Sequence, residues 1–130
     1  MNDEGEIRRT IAEYCQYMDE RRFEEWSRLF AEDARFQTTR QRGAILSLIL
    51  GEELATVPDL FRKHVATNLI IDLDGDSAHV VSDLVLFERH DGGPWILRFG
   101  KYADKMVRQG KRWLFQERQV IWTANGLEEN

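Results

Sequence analysis

The chain has 130 residues, 42% of them hydrophobic and 32% charged, which suits one globular domain over residues 1–130. A net charge of −5, with no Lys/Arg cluster longer than two residues, argues against a nucleic-acid partner. No stretch of 18 apolar residues is present, so the sequence predicts no transmembrane helix.

The N-terminus and the cysteine content predict a cytoplasmic protein. Residues 1–4 are polar and partly acidic and lack the apolar core of a signal peptide. Cys15 is the single cysteine, so no internal disulfide can form, and a reducing compartment is expected.

The strongest pattern in the chain covers residues 7–36. Ile7, Ile11, Tyr14, Cys15 and Met18 recur at the spacing of one helical face. The sequence therefore predicts an amphipathic helix that ends near residues 19–21.

A second, shorter helix is predicted directly after the first. Phe23, Trp26, Leu29 and Phe30 form its apolar stripe, and residues 33–36 then read as the entry to a strand. Because the connection is so short, the two helices must turn back on a common surface.

The segment between residues 38 and 62 is less regular. Gly43 marks a turn, and the apolar residues 44–50 fit either a strand or the start of a helix. Residues 51–62 are expected to be helical, with Pro58 kinking or dividing the helix.

From residue 64 the hydrophobic period changes to two, which predicts four strands over residues 64–72, 78–89, 95–108 and 113–123. Turn signals at residues 74–76, 91–94 and 109–111 separate them, and Gly100 suggests a bulge or bend. Residues 124–130 read as a polar tail. Helices followed by a long antiparallel meander predict an α+β fold, a cone whose curled sheet is filled by the helices and encloses a ligand pocket.

Asp19 has an unusual position for a structural residue. It falls in the last turn of the first helix, where the macrodipole disfavours negative charge, and it borders the apolar stripe. One interpretation is that Asp19 caps the second helix. The other is that it is a functional carboxylate.

His64 opens the first long strand, where it is expected to share one covered face with Ala66, Asn68 and Ile70. A polar side chain on a covered face needs a partner. If the sheet wraps around the helices, His64 and Asp19 can meet inside the cone as a general base and its orienting carboxylate. Either residue alone could instead be structural.

Arg118 and Tyr14 are two further candidates. Arg118 is expected on the face of the last strand that also carries Leu114, Gln116, Val120 and Trp122. It could pair with a buried carboxylate, bind a substrate oxygen or form a salt bridge at the rim. The Tyr14 hydroxyl could donate to a reacting oxygen or only reach the surface from the core. His64, His79 and His90 are too scattered for zinc-ligand spacing, and no phosphate loop is present, so no metal or cofactor is expected.

Three stretches together resemble the SnoaL-like branch of the nuclear-transport-factor-2-like (NTF2-like, cystatin-like) superfamily. They are YCQYMDERRFEEWSRLFAEDARF near the start, RKHVATNLIIDLDGDSAHV in the middle and GKYADKMVRQGKRWLFQERQVIW near the end. The resemblance covers nearly the whole chain and implies an α+β cone with a pocket and frequent dimers or trimers. Members include scytalone dehydratase, bile acid 7α-dehydratase, hexachlorocyclohexane dehydrochlorinase and polyketide cyclases.

The resemblance also implies roles for particular residues. Asp19 and His64 occupy the places of the dehydratase Asp and His, Tyr14 matches a tyrosine of the bile acid enzyme, and Arg118 falls near a dehydrochlorinase arginine. A counterpart of the second pocket histidine of scytalone dehydratase is not evident, nor is the Asp–Arg–Asp set of limonene epoxide hydrolases. The same fold also forms the non-catalytic β subunits of ring-hydroxylating dioxygenases.

These observations together predict a cofactor-independent lyase or dehydratase acting on a small hydrophobic or aromatic substrate, with His64 as base and Asp19 as its orienter. Asn68, Trp26 and Phe30 are predicted to contact the substrate. The alternatives are a non-catalytic binding or scaffolding domain and a polyketide cyclase or isomerase with the same dyad.

An oligomer is also predicted, as a homodimer or trimer. Large apolar side chains alternate along two neighbouring strands, at Trp95, Leu97, Phe99, Trp113 and Phe115. If the opposite face lines the cone, these side chains need cover from outside.

Overall fold

The computed structural model describes residues 2–123 of the chain. Residues 124–130, for which a polar tail was predicted, lie outside this range. Helices come first and long strands follow, which confirms the predicted α+β class. The elements are α1 (Asp3–Asp19), α2 (Phe23–Ser27), β1 (Phe30–Phe36), β2 (Thr39–Arg40), α3 (Arg42–Leu50), α4 (Glu53–Thr56), β3 (Leu60–Asp74), β4 (Ser77–His90), β5 (Ile96–Gln109) and β6 (Arg112–Thr123).

The strands form one curved sheet in the order β2-β1-β6-β5-β4-β3. Strands β3 to β6 form the predicted antiparallel meander, whereas β1 pairs in parallel with β6. Helix α1 packs against β3 and β6, and the core lies between this helix and the sheet. We call the sheet face toward α1 the inner face and the opposite one the outer face.

Helix α1 follows the predicted stripe, and all five of its apolar positions are buried. The Asn2 side chain accepts from the N–H of Gly5 at 2.8 Å and begins the helix. The helix ends in a Schellman motif, in which the N–H of Arg22 donates to the carbonyl of Tyr17 and that of Arg21 to Met18. Arg21 adopts the left-handed conformation (φ 59°) that this motif needs.

The predicted bounds between residues 23 and 64 were partly wrong. Helix α2 ends at Ser27, so β1 begins at Phe30 rather than near residue 33. Residues 44–50 are helical, as part of α3. The helical prediction for residues 51–62 fails in its second half, because Pro58 disfavours helix at the residue before it and α4 ends at Thr56. Strand β3 then begins at Leu60, four residues before His64.

A bulge in β3 changes the predicted faces of that strand. The register with β4 shifts between Thr67 and Ile70, and Asn68 adopts φ 55°, a conformation that Asn tolerates. Ala66 and Leu69 pack against the core, whereas Ile70 is 60% exposed. The prediction that His64 shares its face with Asn68 and Ile70 is therefore wrong beyond residue 67.

A second bulge lies in β6, where the register with β5 shifts between Lys105 and Met106. The extra residue, Gln116, puts Arg118 on the inner face with Trp113 and Phe115, not on the face of Leu114 as predicted. Trp113 and Phe115 are fully buried, so their predicted place on the outer face was wrong.

Of the two alternatives predicted for Gly100, a bulge or a bend, the bulge is wrong, because pairing with both neighbouring strands is unbroken there. Gly100 instead permits a close approach. A Cβ at this position would lie 2.8 Å from the carbonyl oxygen of Ile121 and 3.2 Å from the indole of Trp122.

Candidate active site

A cavity of about 270 Å³ opens between the helices and the inner face of the sheet. Its walls are mostly apolar, and its polar side chains come from both layers of the fold. The residues that line it include Tyr14, Arg62, His64, Leu86, Arg98, Tyr102 and Trp122. This volume lies near the lower end of the range for small-molecule pockets.

The end of α1 is held against the beginning of β3. The guanidinium of Arg21 donates to the carbonyl of Leu60 at 2.7 Å and to that of Val57 at 3.3 Å. The Schellman turn and these two bonds place Asp19, the last residue of α1, opposite His64.

Asp19 and His64 make the predicted contact. One carboxylate oxygen, Oδ1, lies 2.6 Å from Nδ1 of the His64 ring. The backbone N–H of His64 also donates to the carboxylate, at 3.1 Å to Oδ1 and 3.0 Å to Oδ2. Only 8% of the Asp19 side chain and 12% of the His64 side chain are exposed. Asp19 does not cap α2, whose N-cap residue is Arg22.

This geometry fixes the tautomer of the imidazole. An ionised carboxylate can only accept, so Nδ1 carries the proton and donates it to Asp19. In the neutral imidazole the other ring nitrogen, Nε2, then carries no proton and can accept one. Since His64 lines the cavity, the arrangement has the form of a carboxylate-oriented general base.

Tyr14 reaches the cavity wall, and two of the predicted substrate contacts lie behind it. Trp26 and Phe30 are fully buried, with ring centroids 5.5 and 6.3 Å from that of Tyr14. Neither lines the cavity, so the structure gives them a packing role under Tyr14 rather than the predicted contact with substrate. Burial raises the pKa of Tyr14 above its ordinary value, against the opposing effect of Arg118, so the hydroxyl stays protonated and can donate.

Arg118 adopts the buried ion pair that was one of its predicted alternatives. Its Nε lies 3.2 Å from Oδ1 of Asp104, and both side chains are fully buried. The guanidinium carbon sits 3.4 Å from the ring centroid of Tyr102, 4.1 Å from that of Tyr14 and 4.5 Å from that of Phe115. Arg118 does not line the cavity, so direct binding of a substrate oxygen is not supported.

The buried ion pair between Asp104 and Arg118 lacks supporting hydrogen bonds. Within residues 2–123, neither carboxylate oxygen of Asp104 and no guanidinium nitrogen of Arg118 makes a hydrogen bond, although Nε and Oδ1 are at ion-pair distance. Burial raises the pKa of Asp104 to about 6, and Arg118 opposes this shift.

Asn68 lies away from the cavity. Its side-chain amide donates to Asp83 at 2.9 Å, in an exposed group on the outer face that also includes Lys101. The predicted substrate contact of Asn68 depended on the face assignment that the bulge overturns.

Sequence reasoning also missed residues that do line the cavity. They include Arg98 and Tyr102, which lie on the inner face of β5 on either side of Gly100, and Trp122 beside them on β6. The signal was present in the alternation of β5, which places Arg98 two residues from Gly100 and opposite to the apolar series of Leu97 and Phe99.

Among residues 2–123, no three His, Cys, Asp or Glu side chains stand together as a potential metal site. No helix in this range has the length and apolar character needed to cross a membrane.

The chain belongs to the SnoaL-like domain family, which its sequence matches over residues 1–119. A comparison with curated proteins gave no significant match.

Solved structures show the same fold. A provisionally assigned scytalone dehydratase from Novosphingobium aromaticivorans is 23% identical, with a TM-score of 0.83 over 93% of this chain and 84% of the other. An NTF2-like protein with a cystatin-like fold from the same species is 25% identical, with a TM-score of 0.83 over 98% and 90%. The β subunit of a provisionally assigned aromatic-ring-hydroxylating dioxygenase from that species is 20% identical, with a TM-score of 0.81 over 92% and 88%.

Proposed function

We propose that the protein is a cofactor-independent lyase or isomerase in which the Asp19–His64 dyad removes a proton from carbon. The supporting observation is the 2.6 Å contact between Asp19 Oδ1 and His64 Nδ1 beside a cavity of ligand size. A histidine that lines a mostly apolar cavity and has one ring nitrogen held by a buried carboxylate is suited to general-base catalysis.

In the proposed reaction, Nε2 of His64 takes a proton from a carbon next to a carbonyl or a leaving group. The electron pair of the broken C–H bond forms a new double bond, and the imidazolium is stabilised by Asp19. Departure of a leaving group then completes an elimination, whereas return of the proton to another carbon completes an isomerisation. The neutral hydroxyl of Tyr14 donates a hydrogen bond to the oxygen that gains charge.

Deuterium exchange tests the proposal before a natural substrate is known. The protein is incubated in D₂O with a panel of hydroxylated aromatic, alicyclic and polyketide-type ketones, and each compound is examined by mass spectrometry. We expect at least one compound to exchange a carbon-bound proton or to lose a leaving group, and His64→Gln to abolish this. His79→Gln is the matched control, because His79 is an exposed histidine of β4. Equal exchange by wild type and His64→Gln would contradict the proposal.

A binding or scaffolding domain is the second candidate, favoured by the apolar outer face. Phe61, Trp95, Leu97, Phe99 and Ile121 are each between 41% and 51% exposed there. Apolar side chains in such number are typical of an interface, so we propose a homodimer or trimer that covers this face. If the dyad variants leave every measured activity unchanged while the oligomer is confirmed, this second candidate is the better description.

A further inference from the structure

Arg98 lies across the cavity floor from the proposed base. His64 of β3 is the register partner of Leu86 of β4, which in turn is the partner of Arg98 of β5. All three side chains line the cavity, and two strand spacings put the backbones of His64 and Arg98 roughly 10 Å apart.

The Arg98 side chain is supported by a platform built from its neighbours. Its guanidinium carbon stacks 4.2 Å from the ring centroid of Trp122. Gly100 makes this arrangement possible, because a Cβ there would lie 3.2 Å from the indole that Arg98 covers. Stacking on a ring face leaves the edge of the planar guanidinium, which carries its N–H donors, available to a ligand.

The guanidinium of Arg98 also differs in its pairing from those of two other arginines, Arg62 and Arg118, in or near the cavity wall. Arg62 is paired with Glu88 at 2.5 Å, and Arg118 with Asp104 at 3.2 Å. Within residues 2–123, no hydrogen bond or ion pair joins the guanidinium of Arg98 to another protein group. The cavity wall therefore holds a half-buried, pre-stacked cation whose donors are not used by the protein.

We propose that Arg98 is a specificity-determining residue that binds a carboxylate of the substrate. A carboxylate matches the guanidinium edge in a bidentate manner, and such charge-assisted pairs are among the stronger hydrogen bonds in proteins. This inference rests on the proposed function in one respect, because it takes the cavity beside His64 as the substrate site.

The dimensions of the cavity limit the rest of the ligand. Its volume of about 270 Å³ and its apolar walls suit a compact body of one or two rings. The ring system would lie over Leu86, with the carboxylate at Arg98 and the reacting carbon at His64.

Binding of two matched probes tests this assignment. 2-Naphthoate and 2-naphthamide have nearly the same shape, but only the first carries a charge at neutral pH. Isothermal titration calorimetry on the full chain at pH 7.5 should show that the wild type binds naphthoate at least tenfold more tightly than the amide. Arg98→Gln should reduce this preference to about twofold or less, and Arg98→Lys should retain part of it.

A control variant keeps the result interpretable. Arg89→Gln removes an equal charge from an arginine that stacks on Trp95 outside the cavity, and it should keep the full preference for the acid. The readout is binding and not turnover, so a failure of the catalytic proposal is distinguishable from a failure of this one. Equal affinity for acid and amide, absence of binding by both at millimolar concentration, or an unchanged preference in Arg98→Gln would overturn the proposal.

Discussion

Replacing Arg118 by Met should destabilise the protein strongly at neutral pH and much less at acid pH. The change leaves the Asp104 carboxylate without its cation in a fully buried position. Breaking one side of a buried ion pair costs about 3–5 kcal/mol of unfolding free energy. The decrease in unfolding free energy should become smaller as pH falls, because protonation of Asp104 removes the buried charge.

The wild type should show a weaker pH dependence of the same sign. The pKa of Asp104 is about 6 in the folded protein and 3.8 in its ordinary state, so the folded protein binds this proton more tightly than the unfolded chain. The stability contributed by that proton is fully present below pH 3.8 and is lost as pH rises through 6. The difference in pKa corresponds to roughly 3 kcal/mol from this group.

Replacing both partners should be far less costly than replacing one. The pair lacks the additional hydrogen bonds that would offset its desolvation. The double variant Asp104→Leu/Arg118→Met should therefore be as stable as the wild type or more stable by about 1–4 kcal/mol.

Urea denaturation followed by tryptophan fluorescence, at several pH values between 4.5 and 7.5, measures all three effects. The double variant should also lose the part of the pH dependence that comes from Asp104. If Arg118→Met and the double variant are equally unstable at pH 7.5, the buried charge is not the cause and the reasoning is refuted.

Three further outcomes follow from the sheet. Gly100→Ala should lower the unfolding free energy by about 1–3 kcal/mol and shift the fluorescence of Trp122, because the new Cβ would crowd the next strand; an unchanged denaturation curve would contradict this. Asn68→Val should cost about 1–2 kcal/mol because of the left-handed backbone, whereas Asn68→Gly should be nearly neutral, and equal losses would argue against the bulge. Light scattering should report a dimer or trimer for the wild type and a smaller species for Leu97→Glu; a monomeric wild type at micromolar concentration would refute the interface.

The helical part of the site could be predicted because its pattern is local. The 3.6-residue stripe of α1 ends where Asp19 stands, and the unfavourable position of that carboxylate at a helix C-terminus pointed to a buried partner. His64, on a strand whose two faces are largely apolar, was expected to need a partner as well. The contact between Asp19 and His64, which are 45 positions apart, could therefore be predicted because each polar side chain needed a partner.

The strand faces could not be predicted beyond the bulges. One inserted residue reverses the alternation of every later side chain in a strand. The bulges at Asn68 and Gln116 therefore moved Asn68 away from the cavity and turned Arg118 toward the core. The two-residue alternation in the sequence does not reveal where a residue is inserted. The positive φ of Asn68 is a property of the folded backbone and cannot be seen in the sequence.

The most direct test of the account is the turnover of Asp19→Asn on the first compound found to react in the exchange panel. We expect correctly folded protein with unchanged affinity for the compound and with kcat lowered by about 10²–10⁴-fold, because asparagine neither holds the required tautomer nor stabilises the imidazolium. A kcat within a factor of two of the wild type would show that the Asp19–His64 contact is a buried structural bridge and would contradict the central claim.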